Sequence, residues 1–131
     1  MIESSNVYTN IELMEMFGLK IAKLLQGYSP SLIVSGNTPF LNLLSHIAAR
    51  ELHTNRVTVA VDLGVLEIEP AVEVTDVTAF LSTYKEKDME LLAIQHYLLG
   101  KSMKLILVQI SAEGTPGLIA DLVLDVQVVQ T

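Results

Sequence analysis

The chain has 131 residues, a formal net charge of −7, a pI near 4.8 and no cysteine. Its length fits one domain, residues 1–131, with a sizeable core. The acidity excludes the phosphate backbone of nucleic acid as the main partner, and the lack of cysteine excludes disulfides, thiol nucleophiles and thiolate zinc sites.

The opening stretch, MIESSNVYTN, has neither a basic region nor an apolar run. It does not read as a signal peptide, and a cytoplasmic protein is expected. Ile11 to Gln26 reads as a helix. Leu13, Phe17, Ile21, Leu24 and Leu25 form its apolar stripe, widened by Met14 and Met16, and Gly27 marks its stop. Leu32-Ile33-Val34 is a short β-branched run, the mark of a strand covered on both faces. Ser35-Gly36-Asn37 is turn chemistry. Thr38 stands at an N-cap position and Pro39 at the first helical one. The helix that follows repeats Leu41, Leu44, Ile47 or Ala48 and Leu52 on one face. A strand feeding a helix through such a turn offers an anion backbone N–H groups and the positive end of a helix dipole.

Val57 to Val61 reads as a second buried strand, with Asp62-Leu63-Gly64 at its carboxyl end, where open α/β sheets place ligands. Asp62 either bonds a ligand hydroxyl or caps the loop. Leu66 to Thr75 alternates apolar and acidic residues around Pro70, as an edge segment or an irregular connection would. Glu67, Glu69 and Glu73 there form a solvated face. Val77 to Leu81 is a third strand ending in Ser82-Thr83. Residues 86–99 form a helix with Met89, Leu92, Ala93, His96 and Leu99 near one stripe, ended by Gly100. Leu105 to Ile110 is a fourth strand. Ser111 to Gly114 is a loop, Thr115-Pro116 starts a short helix to Ala120, and Asp121 to Val129 is a fifth strand.

Strands alternating with helices imply an α/β fold: a three-layer α-β-α sandwich on a five-stranded, mostly parallel sheet, flavodoxin-like or Rossmann-like. Half of the residues are hydrophobic and the mean hydropathy is +0.46. No apolar run reaches the ~18–20 residues of a membrane helix. The surplus fits a buried sheet plus an apolar subunit interface, so a homo-oligomer, a dimer or tetramer, is expected.

Three segments resemble the sugar isomerase (SIS) domain, in its phosphoheptose isomerase branch. Gly36-Asn37 matches the start of that branch's Gly-Asn-Gly-Gly-Ser loop, and Ser45-His46-Ile47-Ala48-Ala49 matches its following helix. Leu81-Ser82-Thr83 is similar to its second phosphate motif, and Pro116 to Val126 to its closing segment. Thr38, Pro39 and Phe40 replace Gly, Gly and the phosphate-binding Ser. Arg50 stands at the catalytic Glu, and Tyr84, Lys85, Glu86 and Lys87 replace Ser, Gly, Asn and Ser.

The resemblance implies a protein that binds a sugar phosphate or similar small anion and is degenerate in catalysis. An active phosphosugar isomerase with an altered site and a non-catalytic structural module are the alternatives. The candidate ligand-binding residues are Ser35, Gly36, Asn37, Thr38, Asp62, Ser82, Thr83 and Lys85. His46 is the candidate catalytic residue, with a plain helix-face histidine as the competing reading. His53 lies on nearly the same face, but no third ligand accompanies the pair, so no metal is expected. A nucleotide-binding Rossmann-like protein is a further class that the fold allows, disfavoured because the first turn has one glycine where a dinucleotide fingerprint needs three. No cofactor is expected.

Overall fold

The computed structural model describes residues 11–62, 65–69, 73–83, 88–110 and 122–126. Three helices, α1 (Ile11–Gln26), α2 (Pro39–Leu52) and α3 (Asp88–Leu99), accompany six strands: β1 (Leu32–Gly36), β2 (Asn55–Asp62), β3 (Val65–Glu69), β4 (Thr75–Thr83), β5 (Ser102–Ile110) and β6 (Leu122–Val126). The strands form one sheet in the order β3-β2-β1-β4-β5-β6. All neighbours are parallel except β3, which runs antiparallel to β2 with Asp62 opposite Val65 and Thr58 opposite Glu69.

Alternation along the strands builds two cores. Ile33, Ala79, Leu81, Ile106 and Val108 face α1 and α2, where Ile21, Leu25, Leu41, Leu44 and Ala48 cover them. Val34, Val57, Val59, Phe80, Leu105 and Leu107 face α3, where Ile94 and Leu98 cover them. The result is the expected three-layer α/β arrangement, and the five parallel strands are the five read from the sequence. The sixth, β3, comes from the segment that alternates apolar and acidic residues. It pairs on one side only, so its outer residues stay wet: Val65 is 63% exposed. Strands also extend beyond the apolar runs that predict them. The 57–61 run becomes Asn55–Asp62, and 105–110 becomes Ser102–Ile110. Ladder hydrogen bonds do not need an apolar side chain at each end. Leu63, Gly64, Pro70, the Tyr84–Lys87 stretch, the Ser111–Gly114 loop, the Thr115–Ala120 helix and residues 127–131 lie outside the described residues.

The start of α2 follows from its first residues. Thr38 is extended (φ −129°, ψ 153°), its Oγ1 accepts from Leu41 N–H at 3.1 Å, and Pro39 begins the helix. The end of α2 depends on His53, which adopts the left-handed conformation at φ 52° and ψ 46°. Its N–H and that of Thr54 return to Arg50 and Ala49 carbonyls.

The buried stripe of α1 is Met14, Gly18, Ile21, Ala22 and Leu25, rotated from the predicted one, and Leu24 is exposed. The glycine explains the rotation. A Cβ on Gly18 would lie 2.5 Å from Ile47 Cγ2 and 2.7 Å from Ile47 Cβ, so α1 meets α2 closely there. Phe17 and Phe40 flank that contact with ring centroids 6.4 Å apart. Among the described residues no helix is long and apolar enough to cross a membrane.

Two stability outcomes follow from these contacts. Gly18→Ala gains about 1 kcal/mol of helix propensity against an overpacking cost of roughly 1–3 kcal/mol. The clash involves Ile47 atoms next to the α2 backbone, so the cost dominates, and urea denaturation should show a net loss of about 1–2 kcal/mol. His53→Gly relieves a left-handed residue and should raise stability by about 0.5–1 kcal/mol in the same assay.

Candidate functional site

The strand order reverses its direction of winding between β1 and β4. From β1 the chain crosses through α2 to β2 on one side, and from β4 it crosses through α3 to β5 on the other. The two helices leave to opposite faces of the sheet. Such a reversal, outside the carboxyl ends of β1 and β4, is where open α/β sheets place a ligand crevice. Gly36, Asn37 and Thr38 follow from β1 on one side of it, and Ser82 and Thr83 end β4 on the other.

The residues of the β1–α2 turn are tied into local structure. Thr38 Oγ1 is occupied by the Leu41 N–H, Asn42 N–H donates to Thr38 O at 2.9 Å, and Thr38 N–H donates to Gly36 O at 3.1 Å. Pro39 has no N–H to offer. The cap thus takes donors that an anion would otherwise use at a helix start.

Beneath this turn, on the α2 face, lies a polar network centred on Arg56. Its Nε donates to Ser45 Oγ at 2.9 Å, and Nη2 donates to Asn42 Oδ1 at 3.0 Å and Thr58 Oγ1 at 2.8 Å. Thr58 Oγ1 donates to Asn42 Oδ1 at 3.0 Å. Ser35 Oγ lies 3.4 Å from Asn42 Oδ1 and 3.2 Å from Ser45 Oγ. Asn42 Nδ2 reaches up to Asn37 Oδ1 at 3.3 Å, so the network holds the turn from below. Arg56 is half-buried, and among the described residues no carboxylate pairs with it. In a chain of net charge −7, the partners of this cation among the described residues are neutral dipoles. Beside the network a cleft of about 380 Å³ is lined by Asn37, Thr58, Ala60, Glu67 and Ile68.

The structure separates the other sequence candidates. Ser35 and Leu81 are paired across β1 and β4, so buried Ser35 faces α2 and buried Ser82 faces α3. Asp62 closes β2 opposite Val65, and Thr83 closes β4 opposite Ile110. Lys85 is outside the described residues. His46 is exposed on α2, next in sequence to the Ser45 and Ile47 that point inward, and His53 is the exposed helix cap. Among the described residues no group of three or more metal-ligating side chains converges. Arg50 pairs with Glu15 and Glu51 on the surface, and the hydrogen bond to Glu15 raises its pKa above the ordinary value.

Arg56, Asn42, Thr58 and Glu67 were not among the sequence candidates. The signal for Arg56 and Thr58 was their alternation with Val57, Val59 and Val61, which gives β2 one polar and one apolar face.

No family model and no curated protein matches the chain. Solved structures do. A purine phosphoribosyltransferase from Pyrococcus horikoshii Ot3 matches with a TM-score of 0.56 at 13% identity, over 88% of this chain and 82% of that one. The fold of this chain is similar to that of this phosphoribosyltransferase. The Helicobacter pylori xanthine-guanine-hypoxanthine phosphoribosyltransferase gives 0.56 at 15% identity, over 88% and 83%. A hypothetical protein from Neisseria gonorrhoeae with bound ppGpp gives 0.60 at 10% identity, over 91% and 81%.

These likenesses overturn the resemblance to the SIS domain, and with it the sugar-phosphate ligand, the phosphosugar isomerase activity and carbohydrate-derivative binding. The segments that carried the resemblance have packing reasons of their own. Ser45 serves the Arg56 network, Ile47 packs on Gly18, and Ala48 and Ala49 are buried, while His46 is exposed. Gly36-Asn37 followed by a capping Thr38 is what a strand–turn–helix needs in either fold.

Replacing Arg56 by Met removes three hydrogen bonds and leaves buried Ser45 Oγ without its guanidinium donor, while Asn42 Oδ1 keeps the bond from Thr58. Chemical denaturation should show a loss of about 1–3 kcal/mol. Arg50→Met, which removes only exposed ion pairs, should change stability far less.

Proposed function

We propose that this chain binds a purine nucleotide in the crevice outside the carboxyl ends of β1 and β4. The observation that carries the reading is the winding reversal between those strands, in a fold it has in common with two purine phosphoribosyltransferases and a protein with bound ppGpp. The described side chains around the crevice support it. They are hydroxyls, amides and one guanidinium, groups that hold phosphates and bases, with the Glu67 carboxylate lining the cleft beside them. The reading is accordingly one of binding, with the local positive charge of Arg56 offsetting an overall field that repels anions. A cytoplasmic location goes with it, in keeping with a chain free of cysteine.

Thermal melting with AMP, GMP and ppGpp, against ribose 5-phosphate and inorganic phosphate, tests the reading. A nucleotide present at a hundred times its Kd stabilises by about 2.7 kcal/mol, a rise in Tm on the order of 10 °C for a chain of this size. The expected result is such a rise with at least one purine nucleotide and none with the two controls. No rise with any of the three nucleotides at millimolar concentration contradicts the reading.

A further inference from the structure

Gln109 lies one residue before the carboxyl end of β5 and is fully buried. Neither its Nε2 nor its Oε1 has a hydrogen-bond partner among the described residues. It interrupts an apolar strand: Leu105 and Leu107 precede it on the same face of the sheet, packed in the α3 core. Its partners across the ladder are Ser82 of β4 and Asp125 of β6. Gly36 of β1, which has no side chain, comes one step beyond the Ser35–Leu81 pair and so falls in the same row. The row at the carboxyl ends is thus polar or bare. The row two residues earlier, Val34, Phe80 and Leu107, is apolar.

A buried amide with neither end paired among the described residues is costly, and a leucine or methionine of similar volume would remove that cost. The position beside the crevice gives the amide a use. We propose that Gln109 is the residue that reads the nucleobase, and that it accepts 6-amino and 6-oxo purines alike. This rests on the nucleotide-binding reading above. A primary amide offers one donor and one acceptor side by side. Adenine presents N6–H and N1 on its pairing edge, and guanine presents O6 and N1–H. Turning the amide by 180° exchanges its donor and acceptor, so one side chain satisfies either base. A lysine or a carboxylate, which only donates or only accepts, lacks that symmetry. In the free chain the amide is closed from solvent, so a base meets it through local opening at the strand ends.

Calorimetric titration of the full chain with AMP and GMP, together with Gln109→Leu and Gln109→Met, tests this. The wild-type protein is expected to bind both nucleotides within about tenfold of each other. Both variants should lose at least tenfold in affinity for both, about 1.4 kcal/mol, while melting unliganded at the same temperature or higher. A destabilised core would lower the melting temperature along with affinity, so the unliganded melt separates recognition from damage. If the wild type binds nucleotides and either folded variant binds them equally well, Gln109 does not read the base, and the nucleotide reading stands without it. A preference for one base above a hundredfold overturns the dual acceptance. Binding of neither AMP nor GMP by the wild type overturns this proposal, and the nucleotide reading falls with it only if ppGpp fails to bind as well.

Discussion

β1 and β4 are hydrogen-bonded neighbours whose following helices leave to opposite faces of the sheet. The proposed nucleotide site depends on that divergence. Parallel strands need long right-handed crossovers, and when the winding direction reverses, the two crossovers cannot close over the same point. The gap forms at the carboxyl ends, where Gly36 and Ser82 face each other from adjacent strands. The cores on either side, with Val34 and Phe80 on one face and Ile33 and Ala79 on the other, hold the two strands rigidly enough for the gap to persist.

Arg56 converts this geometry into a charged environment. A half-buried cation usually takes a carboxylate, whose attraction offsets the lost hydration. Here its partners are two hydroxyls and an amide oxygen. Neutral dipoles solvate the guanidinium without cancelling its field, so the charge remains available to an anion nearby. The same partners reach the β1–α2 turn through Asn42 and Asn37. A positive charge and the position of the turn are therefore set by one network, on the α2 face of β1 and β2.

Most of the architecture was legible in the sequence, because burial on both faces of a parallel sheet writes itself as short apolar runs such as Leu32–Val34 and Leu105–Ile110. Thr38-Pro39 announced the start of α2 by cap chemistry alone. The edge strand β3 was only half legible: alternation in Leu66–Glu69 fits a strand, but an exposed edge has no apolar run to commit it. The site was harder. Thr38 carries the residue type of an anion loop, yet its hydroxyl is consumed by the cap. His46 has the residue type of a general base, yet helical phase turns it to solvent. Arg56 and Gln109 were passed over because strand pairing, which no local pattern gives, places them beside Ser45, Asn42 and Ser82. Local motif matching between Ser45 and Ala49 misled for the same reason: packing on Gly18 and on β2 selects small and apolar residues there whatever the family.

The most direct test of the central claim, that the gap between β1 and β4 is a nucleotide site, is a ¹⁵N–¹H correlation spectrum of the labelled chain with and without saturating GMP. The account predicts that the largest shifts fall on the amides of Gly36, Asn37, Thr83 and Ile110, at the carboxyl ends of β1, β4 and β5. Shifts confined to α1 and the outer face of α2 around His46, with those strand ends unmoved, would contradict it.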